Sequence, residues 1–385
     1  MLGNALDSVL TQSHTHWEAI VVDDGSMDDT KALMARYTDP RIRYIYQANT
    51  GLPGARNTGI RHATGELIAL LDSDDAFLPR RLEKQIALFE ADPEIGVVVG
   101  GCIEADAHLK PTREVQNWHT CPDLDLAHLL IDCPFCPSAV MLRREWLDRA
   151  GGFDETMKRI EDWDLWLRLA HLGCKFAWLR EAACYYRIHG SNMVRDVGLM
   201  RDGMLTMLDK LYAHDGLPAD VLALRNKAYA NVYLNTAGRA YAADTIEEGR
   251  AALGRASRVR SGIAGRRTAP RAEFSGVVRA DAAVPQRRSL YGCGDPQPTR
   301  QCKGAEAIFQ RTSARAVACG GGVPVRPSPR ARAGDSACVA GDVAPPNLAA
   351  QSRLGSRNGA SAVGPRDPGK NLKRVSITVT PPSTS

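Results

Sequence analysis

Residues 67–79 read LIALLDSDDAFLP, five apolar residues running directly into Asp72-Ser73-Asp74-Asp75. A short continuous apolar run closed by a polar turn is the pattern of a strand buried on both faces. Working back from it, residues 52–63 predict a helix stopped by Gly65, and residues 42–46 a strand. Asp28, Asp29 and Thr30 offer caps for a helix reaching Tyr37, and residues 19–22 predict a strand closed by Asp23, Asp24 and Gly25. Residues 6–12 read as the end of a helix. Working forward, Pro79 opens a helix whose Leu82, Ile86 and Phe89 share one face, and residues 95–99 predict another strand. This alternation predicts an α/β fold, an open and mostly parallel sheet flanked by helices. Such sheets bind ligands at the carboxyl ends of their strands, where both acidic clusters fall.

The remainder is less regular. A helix is expected over 163–172 and a helical extension over about 200–253, giving an α/β domain at 1–198 and an extension at 199–258. Residues 259–385 predict a disordered basic tail, because no hydrophobic period is sustained there. From Arg271 onward, 17 Lys and Arg stand against 7 Asp and Glu, with Arg outnumbering Lys by 14 to 3. That bias suits a basic arm, and equally an out-of-frame reading of GC-rich DNA. The net charge of +5 therefore belongs to the tail, and the acidic body predicts no nucleic-acid partner. A composition of 44% hydrophobic and 24% charged residues excludes a collagen, a coiled coil and a wholly disordered chain. No apolar run reaches the roughly 18 residues of a membrane span and no signal peptide is seen, so a cytoplasmic address is expected. The ten cysteines include one Cys-x-x-Cys, at Cys133 and Cys136, without a second pair at zinc spacing.

Chemistry concentrates in four segments: WEAIVVDDGSMDDT (17–30), NTGLPGARNTGI (49–60), LIALLDSDDAFLP (67–79) and GGFDETMKRIEDWDLWLRLA (151–170). Each has a bland reading. Asp72 and Asp74 suit a solvated turn as well as a divalent cation with oxygen ligands, and Asp23 and Asp24 suit an Asx turn as well as hydrogen bonds to a base or ribose. Arg56 suits a scaffold ion pair as well as a phosphate, and Glu161-Asp162 suit a helix start. Taken in order, the four segments resemble glycosyltransferase family 2, over about residues 4–195.

That resemblance implies a GT-A fold and inverting transfer of a sugar from a nucleotide-diphospho-sugar, most simply a UDP-sugar, to a hydroxyl acceptor. It implies Asp162 as catalytic base, and Asp23, Asp24, Arg56 and Asp72 as nucleotide-binding residues. Asp74 and His189, the latter in YYRIHGSNM (185–193), are implied as ligands of Mn²⁺ or Mg²⁺. Trp163 and Trp166 are expected in the core rather than against an acceptor sugar. The usual setting is surface polysaccharide or lipid-linked glycan synthesis, with peripheral association at the inner membrane face. Family members normally open with a strand of the type VSVIIPTYN ahead of the ALDSVL helix, whereas here that helix begins at Ala5. A sheet missing this interior strand would hold a slot and unpaired backbone groups. The competing expectation is therefore a silent nucleotide-binding protein of the same fold.

Overall fold

The computed structural model describes residues 1–190, 196–261 and 373–380. Most of the expected tail, residues 262–372, lies outside the described residues. Helix α1 (Leu2–Leu10) leads to β1 (Trp17–Asp24), α2 (Thr30–Met34), β2 (Ile42–Gln47), α3 (Leu52–His62) and β3 (Leu67–Asp72). Next come β4 (Ala76–Phe77), α4 (Arg81–Ala91), β5 (Ile95–Ala105), β6 (Pro111–Val115), α5 (Leu126–Ile131), β7 (Val140–Arg143), α6 (Arg144–Ala150), α7 (Glu161–His171) and β8 (Lys175–Arg187). Helices α8 (Val197–Tyr212), α9 (Ala219–Ala223), α10 (Arg225–Ala242) and α11 (Ile246–Arg260) form the extension, and β9 (Val375–Thr380) follows.

All nine of these strands share one sheet, in the order β2-β1-β9-β3-β7-β5-β8-β4, with β6 on β5. The first four run parallel; β7 is antiparallel to both neighbours, and β5 and β8 are parallel again. The α/β architecture expected from the alternation is thus present. Helix α2 ends at Met34 rather than at Tyr37. Among the described residues, no helix is long and apolar enough to cross a membrane.

The expectations of a missing interior strand and of a tail disordered to its end are both corrected by β9. This strand lies between β1 and β3, parallel to each, with Ile377 opposite Ala19 on one side and Ala69 on the other. Its sequence VSITVT is β-branched or hydroxylated at every position and alternates with period two, which suits a strand with two dissimilar faces. Val375, Ile377 and Val379 are wholly buried in the cluster that holds α1 and α4 against the sheet. At about 1.5–3 kcal/mol for each fully buried aliphatic side chain, these three anchor the strand strongly.

The opposite face of β9 is polar and still buried. Ser376 Oγ accepts the Gly65 N–H at 2.7 Å and donates to Glu18 Oε1 at 2.7 Å. Glu18 also takes both the N–H and the hydroxyl of Thr64 at 2.6 Å. These bonds fix the register of β9, since a one-residue slip would turn Ser376 toward the apolar cluster. Gly65, expected to stop a helix, serves this contact instead. Helix α3 has already ended at His62, and a Cβ on Gly65 would lie 2.6 Å from Arg374 O and 2.7 Å from Ser376 N.

The second face of the sheet packs α3, α5, α6 and α7, and α8 joins the same core through Met200, Met204, Met207 and Leu211. Lys210 Nζ binds Asp154 at 2.5 Å and Asp164 at 2.7 Å, tying the extension to α7. Trp166 is fully enclosed between Phe135 and Phe153, and Trp163 donates its indole N–H to Leu129 O at 2.6 Å. Both tryptophans are core residues.

Candidate active site

Strands β1, β9 and β3 end side by side, and the acidic residues lie at their carboxyl edge. A pocket of about 980 Å³ opens there, lined by residues including Asp23, Asp24, Ser26, Asp28, Arg36, Ser73 and Asp74. At the end of β1, Asp23 is held from both sides. Ser26 N–H donates to Oδ1 at 2.8 Å and the Tyr44 hydroxyl to Oδ2 at 2.5 Å. Burial and the Asp23 carboxylate raise the Tyr44 pKa, so that phenol stays a donor. Gly25 turns the chain at φ 83°, where a side chain would be strained and would press on Asn49 N at 3.1 Å.

Asp24 has a different set of partners. Its Oδ1 accepts from Gln47 Nε2 at 2.7 Å, Thr50 N at 2.9 Å and Thr50 Oγ1 at 3.1 Å, and its Oδ2 from Gly51 N at 2.8 Å. Its carboxylate thus staples the 49–51 loop to β1 and leads into α3.

Arg56 joins the segments that are far apart in sequence. It is buried, donating from Nη2 to Asp72 Oδ1 at 2.8 Å and from Nη1 to Glu161 Oε1 at 2.6 Å. Burial alone would lower its pKa, but Asp72, Glu161 and Asp162 outweigh that and raise it. The three carboxylates face one guanidinium, so negative charge is in excess. Burial raises Asp72 to about 6, with Arg56 opposing and Asp74 adding to the rise. Burial also raises Asp162 to about 7, helped by neighbouring Glu161 and Asp72 and opposed by Arg56 and the Trp163 N–H. A carboxylate poised there is a far stronger base than an exposed aspartate. The residue before this pair, Ile160, has φ 65°, an uncommon conformation for a β-branched residue.

The turn after β3 is braced on every side. Asp72 N–H donates to Ser138 Oγ at 3.0 Å and Ser73 N–H to Thr380 O at 2.9 Å. Arg187 Nε donates to Asp74 O at 2.5 Å while Arg187 N–H donates to Asp75 Oδ1 at 2.9 Å. From the end of β8 the chain then carries His189 to Asp74, Nε2 to Oδ2 at 3.0 Å. Asp74 and His189 are a converged oxygen and nitrogen pair. Among the described residues no group of three or more His, Cys, Asp or Glu could hold a metal ion. Two protein donors fit a cation that shares its remaining positions with a diphosphate and water.

The structure therefore brings together Arg56, Asp72, Asp162 and the Asp74–His189 pair, and sets Asp23 in the adjoining pocket. Glu161, Tyr44, Ser138, Arg187 and Thr380 were not singled out as site residues by sequence reasoning. Glu161 was visible as a partner of Asp162, whereas the others act through contacts across strands that no local motif encodes.

Comparison with known proteins assigns the family. A family model described as Glycosyl transferase family 2 matches residues 1–151. The amylovoran biosynthesis glycosyltransferase AmsE of Erwinia amylovora is 31% identical over 196 residues, covering 50% of this chain and 72% of that protein. The chain belongs to glycosyltransferase family 2. An uncharacterised glycosyltransferase of Nostoc sp. is 34% identical over 200 residues, covering 50% of this chain and 62% of its own length. Among solved structures, a mannosyltransferase of Pyrobaculum calidifontis in complex with GDP-Man and Mn²⁺ is 19% identical, with a TM-score of 0.49, covering 83% of this chain and 77% of that one.

Proposed function

We propose that the chain transfers a sugar from a nucleotide-diphospho-sugar to a hydroxyl acceptor with inversion at the anomeric carbon. The carrying observation is the Arg56 bridge, which holds the Asp72 turn and the Glu161-Asp162 pair in one buried cluster. Asp23, fixed by Tyr44 and Ser26, would accept the imide N–H of uracil, which favours a UDP-sugar. Asp24 keeps the 49–51 loop in place beside it. Asp72 would accept from the ribose, with Arg56 restraining its orientation.

Asp74 and His189 would hold Mn²⁺ or Mg²⁺, which when bound supplies charge neutralisation to the diphosphate leaving group. Asp162 takes the proton of the acceptor hydroxyl as that oxygen bonds to the anomeric carbon and the bond to the diphosphate oxygen breaks. One displacement of this kind inverts the centre without a covalent sugar–enzyme species. The AmsE relative is named for amylovoran biosynthesis, which supports a polysaccharide product; a glycan or lipid-linked acceptor at the inner membrane face is the setting proposed with it. The silent-binder reading rested on an empty slot in the sheet, and β9 occupies it.

The test offers the full chain UDP- and GDP-sugars with Mn²⁺ and sugar acceptors, reading nucleotide release and the anomeric configuration of the product. A β-linked product from an α-linked donor is expected. Nucleotide binding without release or transfer across the donor set would overturn the reading, as would retained configuration.

A further inference from the structure

Among the buried reactive groups that this mechanism does not use, three thiols lie together near the Asp72 turn. Cys102 of β5, Cys184 of β8 and Cys136, just ahead of a short turn at Pro137–Ala139, form a small core cluster with Ala139, Ala183 and Val115. All three are free thiols. Cys136 Sγ stands 3.8 Å from Cys184 Sγ, and Cys184 lies beside Cys102 in the parallel pairing. Arg81 is nearby and enclosed. Its guanidinium donates to Gln85 Oε1 at 2.9 Å, Val140 O at 2.7 Å and Leu70 O at 3.4 Å, and stacks 3.8 Å over Phe77. All these acceptors are neutral, so the buried cation lacks a counter-charge among them. Hydrogen bonds from Cys102 and Cys184, with Arg81 alongside, hold Cys136 well below the usual thiol range, while Cys102 and Cys184 are pushed well above it.

The cluster has a mechanical route to the site. Cys136 is two residues from Ser138, whose hydroxyl takes the Asp72 N–H. Cys184 is the register partner of Phe77, and its neighbour Ala183 accepts the Leu78 N–H at 2.9 Å. A disulfide needs its sulfurs about 2.05 Å apart. Closing that gap in a packed interior shifts both side chains and loads the backbone that carries them.

We propose that Cys136 and Cys184 are a reversible redox pair whose disulfide displaces the Ser138 support of the Asp72 turn and weakens nucleotide binding. Hydrogen peroxide, small and neutral, is the class of oxidant that can reach so enclosed a site. The Cys136 sulfur attacks one peroxide oxygen, the O–O bond breaks, and the departing hydroxide takes the Cys136 proton to become water. Cys184 then attacks the sulfenic sulfur and displaces its hydroxyl, which leaves as water with the Cys184 proton. Two thiols are oxidised and one peroxide is reduced to two waters; a dithiol reverses the change.

The covalent event goes beyond the transferase reading and is measured separately from it. The full chain is treated with peroxide, its residual thiols are alkylated, and it is digested without reduction. The expected result is a peptide joining Cys136 to Cys184 and lacking both thiol hydrogens. With it come faster hydrogen exchange in the 67–79 peptide and UDP affinity lowered by about tenfold, the order of one lost buried hydrogen bond. Dithiothreitol should restore both. Cys136→Ser should keep the basal affinity and exchange rate and lose the response, and Cys184→Ser provides the same readout should the first variant fold poorly. The partly exposed Cys121 reports that oxidant was sufficient. Oxidised Cys121 without the linked peptide overturns the proposal, as does a linked protein with unchanged exchange at 67–79. If the untreated chain binds no nucleotide, the transferase reading fails while the linkage and exchange still decide this one.

Discussion

Ile377→Ala tests whether β9 is an integral strand. Ile377 is wholly buried, and its cross-strand neighbours on either side are Ala19 and Ala69. Neither alanine can swing in to fill the space left by the lost atoms, so the cavity persists and the cost falls in the upper part of the range for such truncations, about 3–5 kcal/mol. For a domain of this size each kcal/mol moves the melting midpoint by about 2–4 °C, giving a drop of roughly 6–20 °C. Calorimetry and urea titration of the full chain, followed by circular dichroism, measure it. The urea midpoint should fall with an unchanged slope, since the surface exposed on unfolding stays nearly the same. An unaltered midpoint would refute the insertion of residues 375–380 between β1 and β3, because a segment outside the sheet has no packed neighbours to lose.

Other outcomes follow from the site. Asp162→Asn should cut turnover by about 10²–10⁴-fold, the usual worth of a positioned base, and wild-type kcat/KM should rise with pH, reaching half its plateau near 7 where Asp162 ionises. The same variant should melt higher than wild type at pH 8. The folded pKa of about 7 lies above the ordinary 3.8, so wild-type stability drains away as pH climbs between those values and the gap closes toward pH 4. Arg56→Met should cost about 3–5 kcal/mol by leaving Asp72 and Glu161 facing each other uncompensated, read by thermal melting. His189→Ala should raise the Mn²⁺ concentration for half-maximal transfer by about tenfold or more, since even outer-shell losses cost that much.

Much of this was readable from the amino acids alone. Buried strands advertise themselves as apolar runs, so β1 and β3 and the carboxylates that close them were legible. Helix α7 was legible too, because Leu165, Trp166 and Leu169 repeat at helical spacing behind Glu161-Asp162. What escaped depends on partners distant in sequence. Tyr44 looks like any strand aromatic until the parallel register of β1 and β2 brings it to Asp23. Asp24 looked like a ligand because a carboxylate at a strand end invites one, yet four donors from 47–51 already surround it. Strand β9 was hidden by its context. Its six residues follow a long stretch without hydrophobic period, and Ser376, Thr378 and Thr380, buried on its polar face, break the continuous apolar run by which β1 and β3 are recognised.

The insertion rests on burial and pairing: Val375, Ile377 and Val379 contribute about 1.5–3 kcal/mol each when buried, and hydrogen-bonded ladders run along both edges. Packing is indifferent to where along the chain a strand comes from, so residues at one end can complete a sheet begun at the other. The consequence for chemistry is direct: Thr380 O, at the tip of β9, receives the Ser73 N–H. The strand that completes the sheet thus also braces the turn that carries Asp72 and Asp74, and substitutions that loosen β9 should weaken nucleotide binding before they unfold the domain.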